Sequence, residues 1–433
     1  MTENIRVNVH HVTRVEGHGN IVVDVRDGTL EQCELQIVET PRFFEAMLRG
    51  RPYMQASHIT SRICGICAIG HATASLRASE AALQVEVTEQ TKMLRKLAFH
   101  GEILDSHILH VYMLVAPDFL GVGSVIPLAT SHPEVVKRAL RMKKFSGDLC
   151  ATIVGRHTHP IAMTVGGFTH FPSPADLEKL RAQAEELIAD VDATVELFGA
   201  LPWPNFERET EYVALVQDDE YGFIDGTIAT TDGARVALED YRSVTNEHLE
   251  LHATAKHASF NRDSYMVGAL ARFNNKHAQL LPRAKAAAEH LGLEPVCYNP
   301  FLNSAAQVVE IVHCVDDVIN LLDTLLEQGI EPEAPTPVTL SPGARGVGAC
   351  DVPRGTLFHE YQISEDGLIE EANCVIPTGQ NLGNVDRDMR ALVPTLLTES
   401  EDDIRLKMEM LVRAYDPCIS CSAHFLNVEF VGK

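Results

Sequence analysis

Hydrophobic and polar positions alternate near the start of the chain and later repeat at helical spacing. The segments Ile5 to Val9, Asn20 to Val25 and Glu34 to Glu39 alternate, and this pattern predicts three strands. From Thr88 onward, apolar residues recur every three or four positions, which predicts long helices. A capping serine followed by proline, Ser173-Pro174, predicts the start of another helix. The pattern therefore indicates an α+β fold that is mainly α, with a central bundle of long helices and an N-terminal β region.

Turn-forming residues divide the second half of the chain. Glycines interrupt a strand-like, acidic stretch near residues 205–245, which we interpret as a surface insertion. The proline- and glycine-rich stretch Glu331 to Gly348 predicts a loop, and two strands that turn near Asp366-Gly367 predict a β hairpin before the C-terminal motif. We therefore predict three consecutive regions: an N-terminal β region (1–55), a helical core (56–330) and a C-terminal region (331–433).

The net charge of the chain excludes two classes of binding partner, whereas its overall composition excludes none. The 433 residues are 45% hydrophobic, which is ordinary for a globular protein with a large core. The formal net charge of -24 argues against nucleic acid and against an anionic membrane surface, since both bind basic patches. No apolar run is long enough to cross a bilayer, and the N-terminus lacks the apolar core of a signal peptide, so we predict a cytoplasmic protein, or one whose destination is set by a partner that carries the targeting signal.

The strongest chemical signal is a pair of Cys-x-x-Cys units at opposite ends of the chain, Cys64–Cys67 and Cys418–Cys421, which are followed by His71 and His424. Soft thiolates at this spacing select zinc, iron or nickel over magnesium or calcium. A structural four-cysteine zinc site is one interpretation. Against it, structural zinc pairs usually lie close together in sequence, and the small-residue helix predicted after the first unit suits a deep core.

These units form part of a longer pattern in which the chain resembles the large subunit of nickel–iron hydrogenases. The resemblance covers nearly the whole length. The matching segments are Arg14–His18, Pro41–Glu45, Gly50–Pro52, Arg62–Cys67 with His71, Val267–Arg272, Pro353–Leu357 and Asp416–His424. Quinone-binding subunits of respiratory complexes resemble the same fold but lack the four cysteines, so the presence of these cysteines favours hydrogen chemistry.

The resemblance implies a nickel–iron centre held by the four cysteines. Cys67 and Cys421 would bridge nickel and iron, whereas Cys64 and Cys418 would be terminal ligands of nickel. The iron would carry carbon monoxide and cyanide. Hydrogen would be cleaved heterolytically, with a terminal thiolate as the proton acceptor. The implied activity is that of a hydrogenase, an oxidoreductase that acts on H2.

The same resemblance implies roles for residues around the centre. Glu16 would carry protons away from Cys418, and Arg354 would lie over the open metal position. His71 would donate a hydrogen bond to a bridging sulfur. Considered without the resemblance, Glu16 could instead pair with Arg14, which would be a structural role.

A second ion and a removable tail also follow from the resemblance. Glu45, His424 and a backbone carbonyl near Cys374 are expected to bind magnesium or a similar ion, although Glu45 alone could be a solvated helix residue. Residues 425–433 continue beyond His424, where the mature protein of the family usually ends. We therefore expect a maturation protease to remove them after nickel insertion, and their retention would mean an immature or nickel-free site.

The expected partners follow from what the chain does not contain. It has no further cysteine cluster for iron–sulfur centres, so electrons are expected to leave through a small iron–sulfur subunit. The motifs resemble the cytosolic, multi-subunit branch, in which diaphorase or other electron-transfer subunits, sometimes with flavin, pass electrons to NAD(P), a deazaflavin or ferredoxin-type acceptors. Two other classes of function stay open: a non-catalytic zinc-binding scaffold of an electron-transfer complex, and a regulatory hydrogen sensor.

The remaining candidate ligands are interpreted as structural. His107 and His110 lie on the helix predicted from Thr88, and hydrogen-bonded core histidines are the favoured interpretation over a proton path. The isolated cysteines are interpreted as small buried hydrophobic residues: Cys33, Cys150, Cys297, Cys314 and Cys350.

Overall fold

The structure is a computed structural model that describes residues 4–423. Twelve strands within these residues form four sheets. The strands are β1 (Ile5–Val9), β2 (Gly19–Arg26), β3 (Thr29–Ile37), β4 (Met163–Thr164), β5 (Gly167–Phe168), β6 (Glu211–Val216), β7 (Thr227–Thr230), β8 (Arg235–Val236), β9 (Tyr265–Met266), β10 (Ala344–Val352), β11 (Gly355–Ile363) and β12 (Ile369–Val375). The strand orders are β1-β2-β3, β4-β5, β8-β7-β6-β9 and β10-β11-β12, and only the β6–β9 pair is parallel.

Sixteen α-helices lie within the same range. They are α1 (Phe44–Leu48), α2 (Tyr53–Thr60), α3 (Ala68–Leu83), α4 (Glu89–Ile108), α5 (Ala116–Phe119), α6 (Val125–Ser131), α7 (Pro133–Val154), α8 (Pro174–Glu186), α9 (Ile188–Gly199), α10 (Arg242–Thr245), α11 (Ala269–Lys276), α12 (Pro282–His290), α13 (Asn303–Gln328), α14 (Pro377–Leu396), α15 (Glu401–Ala414) and α16 (Ile419–Ser422). A π-helical stretch, Leu109–Val115, continues α4, and short 3-10 turns cover Leu238–Asp240, His277–Gln279 and Pro300–Leu302. Between residues 4 and 423, the structure contains no helix long and apolar enough to cross a membrane.

The long helices α4, α7 and α13 pack together at the centre, as the helical spacing predicted. Helix α4 begins where the Thr88 Oγ1 accepts a hydrogen bond from the Thr91 N–H at 3.1 Å, which confirms the predicted cap. Helix α8 begins at the predicted Ser173-Pro174 with a reciprocal cap between Ser173 and Asp176. Capping sets where these helices start, and burial of their apolar faces holds them in the core.

Helix α3, which follows the first cysteine pair, packs directly on β10. A Cβ atom at Gly346 or Gly348 would collide with the backbone of α3. Glycine therefore permits the close approach of the strand to the helix. The loop predicted over 331–348 is confirmed as far as residue 343, but it is wrong beyond that point, because these glycines belong to a strand and not to a turn.

Part of the segment near residues 205–245, which we predicted as a surface insertion, lies in the interior. Every residue of its strand β6 is buried, and β6 packs on α11 in the interior. The Leu215 N–H donates to the Asp351 Oδ2 at 3.1 Å, which ties β6 to β10. The acidic residues and glycines suggested exposure, but a strand covered on both faces belongs to the core.

The two ends of the described chain meet in one place. The backbone of Glu16 pairs with that of Cys418 in a parallel bridge, and β3 packs against α14. The predicted hairpin is confirmed as β11 and β12, and β10 adds a third strand to it. The first and last predicted regions therefore share contacts, and the division of the chain into three regions stays a prediction.

Candidate metal centre

The first cysteine pair lies at the N-terminal end of α3. The Cys64 Sγ accepts hydrogen bonds from the backbone N–H groups of Ile66 (3.3 Å) and Cys67 (3.1 Å). Both cysteines are buried. Backbone N–H groups at the start of a helix stabilise a thiolate because they place partial positive charge beside the sulfur.

Glu102 of α4 fixes the same end of α3. Its carboxylate accepts the N–H groups of Ile69 (2.6 Å) and Gly70 (2.9 Å). A side chain at residue 70 would collide with Glu102 and Val352, so only glycine fits there. Burial raises the pKa of Glu102 well above its usual range, and the charge of nearby Cys64 adds to this effect. Sequence reasoning missed Glu102, although a charged residue on the apolar stripe of α4 was an available signal.

The second cysteine pair lies on a short segment that ends in α16. The backbone carbonyl of Glu16 accepts the Ile419 N–H at 3.0 Å, and the Glu16 carboxylate accepts the Ser420 N–H at 3.1 Å. A Cβ atom at Gly17, whose φ is +88°, would lie 2.7 Å from the Ile419 Cβ. Glycine thus allows the N-terminal segment to approach this turn closely. The structure places the predicted proton carrier, Glu16, beside the segment that contains Cys418.

The two pairs meet although 354 positions separate Cys64 from Cys418. The sulfur atoms of these two residues are 3.6 Å apart, and those of Cys64, Cys418 and Cys421 all lie within 4.8 Å of one another. Thiolates about 2.3 Å from one metal ion are separated by roughly 3.3–3.8 Å, so this arrangement fits a shared ion. The Sγ atoms of Cys418 and Cys421 lie close together, and metal binding by both requires the reduced thiolates.

Cys67 lies beside Cys64, but its sulfur is not part of the group of three that lie within 4.8 Å of one another. The hydrogen bond from Cys67, helped by Arg354 and the backbone N–H groups, lowers the pKa of Cys64 to about 7 despite its burial. The pKa of Cys67 is raised well above its usual range, because Cys67 gives this hydrogen bond and is buried. One thiol of the first pair therefore ionises near neutral pH before any metal adds its own charge.

Arg354 reaches the first pair from the turn between β10 and β11. Its Nη1 lies 3.2 Å from the Cys67 Sγ. Asp416 holds the guanidinium twice, since Nη2 donates to the carboxylate at 2.9 Å and Nε donates to the backbone carbonyl at 2.7 Å. Burial opposes the positive charge, but Asp416 and the two cysteines outweigh it and raise the pKa of Arg354. Sequence reasoning did not assign a role to Asp416, although this residue stands two positions before Cys418.

His71 belongs to a buried line of polar side chains behind the first pair. Its Nδ1 lies 3.2 Å from the His359 Nε2, and the His359 Nδ1 lies 2.8 Å from the Tyr361 hydroxyl. The Tyr361 hydroxyl donates to the Ser75 Oγ at 2.9 Å. This line orients the His71 ring, and its predicted hydrogen bond to a bridging sulfur stays a prediction.

Two of the three expected magnesium ligands, Glu45 and the backbone near Cys374, lie in the described part of the chain and are neighbours. The Glu45 Oε1 accepts the backbone N–H of Cys374 at 3.0 Å. The carboxylate therefore lies beside the strand that was predicted to offer a carbonyl ligand. His424 and the tail of residues 425–433 lie outside the described residues.

Arg42 contacts both cysteine segments at once. Its Nη2 donates to the carbonyl of Ile63 at 2.6 Å and also to the carbonyl of Ser420. Its backbone N–H donates to the Ala423 carbonyl at 3.1 Å. Because Ile63 precedes the first pair and Ser420 lies within the second, Arg42 links the two halves of the site. This role was not predicted, although Arg42 lies in a segment that carries the family resemblance.

The histidines of the long helix are confirmed as buried, hydrogen-bonded residues. The His107 Nε2 lies 2.7 Å from the Glu310 Oε2, and the His110 Nε2 lies 2.7 Å from the Arg413 carbonyl. Glu310 also accepts two hydrogen bonds from Arg272, which forms a buried ion pair that sequence reasoning missed.

The interpretation of the isolated cysteines as buried residues is confirmed for four of the five. Cys297 is half-buried, so the interpretation is wrong at that position. The reason is its place in the irregular segment between α12 and α13, outside any helix or strand.

Known proteins are similar to this chain in sequence and in fold. A family model described as nickel-dependent hydrogenase matches residues 42–137 and 238–424, and a model described as HoxL-like matches residues 6–40. Two proteins of Pyrococcus furiosus are similar to the chain. Sulfhydrogenase 2 subunit alpha is 33% identical over 98% of this chain and 100% of its own length, and sulfhydrogenase 1 subunit alpha is 31% identical over 98% of both. A solved NAD+-reducing [NiFe]-hydrogenase in the H2-reduced state has a TM-score of 0.87 and 26% identity, and the match covers 97% of this chain and 99% of that one.

The α+β fold, the four buried cysteines and the family match together define a subunit of a metal-dependent oxidoreductase. The chain belongs to the nickel-dependent hydrogenase family as a large, catalytic subunit. It is therefore an oxidoreductase that acts on H2, and the resemblance seen in the sequence motifs is confirmed. Family membership favours a nickel–iron centre over a structural zinc ion at the four cysteines.

Proposed function

We propose that the chain binds a nickel–iron centre through Cys64, Cys67, Cys418 and Cys421 and catalyses the reversible cleavage of H2 to protons and electrons. The observation that carries this proposal is the meeting of two distant Cys-x-x-Cys units in one buried site, with the Sγ atoms of Cys64 and Cys418 3.6 Å apart. Cys67 and Cys421 would hold both nickel and iron, and Cys64 and Cys418 would hold nickel alone. Carbon monoxide and cyanide are the proposed further ligands of the iron.

When bound, the metal centre supplies heterolytic cleavage of H2 and accepts two electrons. The chain itself handles the protons. The Cys418 Sγ accepts a proton, and the Glu16 carboxylate receives it from there. Glu16 is suited to this step because the Ser420 N–H holds one of its oxygens next to the same segment, while a carboxylate can turn between donor and acceptor partners.

The proposed role of Arg354 is to hold a fixed positive charge beside the cysteines. Its planar guanidinium contacts the Cys67 Sγ with one nitrogen and Asp416 with two others. This double attachment fixes the orientation of the charge, which a flexible lysine ammonium does not reproduce. His71, held by His359, is proposed to tune the electron density of a bridging sulfur.

Further proposals concern the second ion and the partners. Glu45 beside the backbone of Cys374 supports a magnesium site that His424 would complete. An iron–sulfur small subunit is proposed to take up the electrons, and a maturation protease is proposed to remove residues 425–433. A solved relative that reduces NAD+ makes NAD(P), reached through a diaphorase, a candidate acceptor. A deazaflavin and a ferredoxin-type acceptor are the other candidates. The cytoplasmic location stays a prediction.

The test is a metal analysis with infrared spectroscopy on the anaerobically purified complex. Nickel and iron are expected at one each per large subunit, after the iron of the partner clusters is subtracted, together with bands of bound carbon monoxide and cyanide. H2 turnover distinguishes an enzyme from a sensor. Zinc at the four cysteines with no such bands would overturn the proposal, because zinc does not undergo redox chemistry.

A further inference from the structure

A second group of metal-binding side chains lies where the loop of residues 246–264 crosses α14. Two histidines of the loop, His252 and His257, lie beside Asp386 of the helix. The His252 Nε2 is 3.0 Å and the His257 Nε2 is 3.7 Å from the same carboxylate oxygen, Oδ2. One ligand atom from each of the three residues lies within 4.8 Å of the others. The group shares no residue with the four cysteines or with the expected magnesium site.

His257 is the unusual member of this group. Its side chain is only 3% exposed, yet neither ring nitrogen has a hydrogen-bond partner among the described residues. Buried polar atoms are nearly always paired, because desolvation without a partner destabilises the folded state. A metal ion bound at Nε2 supplies a partner for one of these two nitrogens, and the distance of 3.7 Å from the Asp386 Oδ2 leaves room for such an ion between them.

The N-terminal sheet holds both the carboxylate and the loop in place. The Asp386 Oδ1 accepts the Leu35 N–H at 2.8 Å, which leaves Oδ2 on the side of the histidines. Between the two histidines, the Thr254 N–H donates to the Ile37 carbonyl at 3.0 Å. The Asp386 carboxylate therefore has the second partner that usually orients a metal ligand, and the Thr254 bond fixes the loop backbone between the two histidines.

We propose that His252, His257 and Asp386 bind a structural zinc ion. Two imidazoles and one carboxylate suit zinc better than magnesium or calcium, which prefer oxygen ligands. Ligand atoms about 2.0–2.2 Å from zinc lie roughly 3.2–3.5 Å apart, and the two measured separations of 3.0 and 3.7 Å bracket this range. The His252 side chain is 16% exposed, so a water molecule can fill the fourth position and the ion can enter from this side.

The zinc would join three elements that meet near the second cysteine pair. It ties the loop to α14 directly and to β3 through the Leu35 N–H on Asp386. The same loop touches α14 again, because a Cβ atom at Gly379 would lie 2.9 Å from the Lys256 carbonyl oxygen and 3.9 Å from the Ser422 Cβ. The ion therefore has a structural role in positioning the surroundings of the C-terminal segment.

The first test measures zinc in the anaerobically purified hydrogenase complex, after equilibration with zinc chloride and removal of free metal. The wild type is expected to hold one more zinc per large subunit than His257→Gln or Asp386→Asn. His252→Gln should lose the same equivalent with less risk to folding, because this side chain is partly exposed. The matched control is His248→Gln, an exposed histidine of the same loop that should keep the zinc. Nickel content should be equal in all five proteins.

X-ray absorption at the zinc edge then identifies the ligands. We expect imidazole nitrogen and oxygen neighbours that disappear in the three variants. Equal zinc content in the wild type and in these variants overturns the inference, and so does a wild type that takes up no zinc. A zinc edge with sulfur neighbours alone would place zinc at the four cysteines and would overturn the proposed function as well. Normal nickel with no variant-dependent zinc rejects only the histidine site.

Discussion

The two cysteine pairs of the metal centre are held by different means. Cys64 and Cys67 lie at the start of α3, a sixteen-residue helix in the core whose first N–H groups are bound by Glu102. Cys418 and Cys421 lie on a segment that ends in α16, which is four residues long. A helix this short makes too few internal hydrogen bonds to hold itself. The first pair is therefore positioned by its own helix, and the second depends on partners elsewhere in the chain.

Those partners come from three distant segments. The Thr378 Oγ1 at the start of α14 accepts the Cys418 N–H at 2.9 Å. Glu16 accepts two further N–H groups of the segment, and Arg42 binds its carbonyl groups. Because the second cysteine pair depends on these distant contacts, we expect that it can be displaced without unfolding the core. Substitutions at the distant partners should affect the second pair and leave α3 intact.

Removal of a ligand from the second pair should have the largest effect. In Cys418→Ser, nickel content and H2 oxidation should fall to background, because a serine hydroxyl does not replace a soft thiolate. Metal analysis and a hydrogen-uptake assay measure the two outcomes.

The control for this variant is Cys297→Ser, which makes the same change at a half-buried cysteine outside the site. It should keep both nickel and activity. Normal turnover in Cys418→Ser would remove Cys418 from the ligand set.

The next largest effect should come from Glu16→Gln. Glutamine keeps an oxygen that can accept the Ser420 N–H, so the second segment should stay in place and the metals should stay bound. It cannot carry a proton, so hydrogen–deuterium exchange activity should fall by about 10²-fold or more. The measurement is isotope exchange between D2 and water, with nickel content determined on the same sample.

Glu39→Gln gives a comparison on the same segment, because the Glu39 Oε1 accepts the Ser420 hydroxyl at 2.9 Å. Exchange should be close to that of the wild type in this variant. If both variants slow exchange equally, the effect belongs to the anchoring of Ser420 and not to proton transfer by Glu16.

Arg354→Lys should have a smaller effect, because one positive charge is retained. Lysine cannot contact the Cys67 Sγ, the carboxylate of Asp416 and the backbone carbonyl of Asp416 with the same planar geometry. We expect turnover to fall by roughly 10- to 100-fold while nickel and iron stay bound.

Arg345→Lys is the matched control, because this half-exposed arginine pairs with Glu360 away from the cysteines. Its turnover should match the wild type. Wild-type rates in Arg354→Lys would show that the bridge from Cys67 to Asp416 is not needed for catalysis.

The contrast between a cysteine pair held by its own helix and one held by distant partners also explains what the sequence could and could not predict. Elements that depend on local chemistry were predicted well: β1 spans Ile5–Val9 as expected, and Thr88 and Ser173 cap their helices. Errors occurred where tertiary contacts decide the structure. The strand expected at Glu34 to Glu39 instead spans Thr29–Ile37, because pairing with β2 sets its bounds.

Among the site residues, the four cysteines were predicted because their spacing and residue type are specific to metal binding. The side chains that hold them were missed. Glu102, Asp416 and Arg42 act through contacts with residues far away in sequence, and the local signals at these positions do not indicate which residue each one contacts. The buried pair of Arg272 and Glu310 was missed for the same reason.

Arg42→Met should have the smallest effect, and it tests most directly whether the two cysteine pairs are held independently. Methionine keeps much of the side-chain volume but loses the hydrogen bonds to Ile63 and Ser420. Loss of hydrogen bonds from a charged group costs about 2 kcal/mol, which corresponds to roughly 30-fold more frequent local opening. Amide hydrogen exchange should therefore become faster in residues 416–423, whereas α3 should exchange as before because Glu102 still binds its first turn.

Arg49→Met, at an exposed arginine of the same region, should change neither segment. Equal acceleration in both segments would mean that the two cysteine pairs open as one unit, and the difference between them would then concern geometry and not local stability.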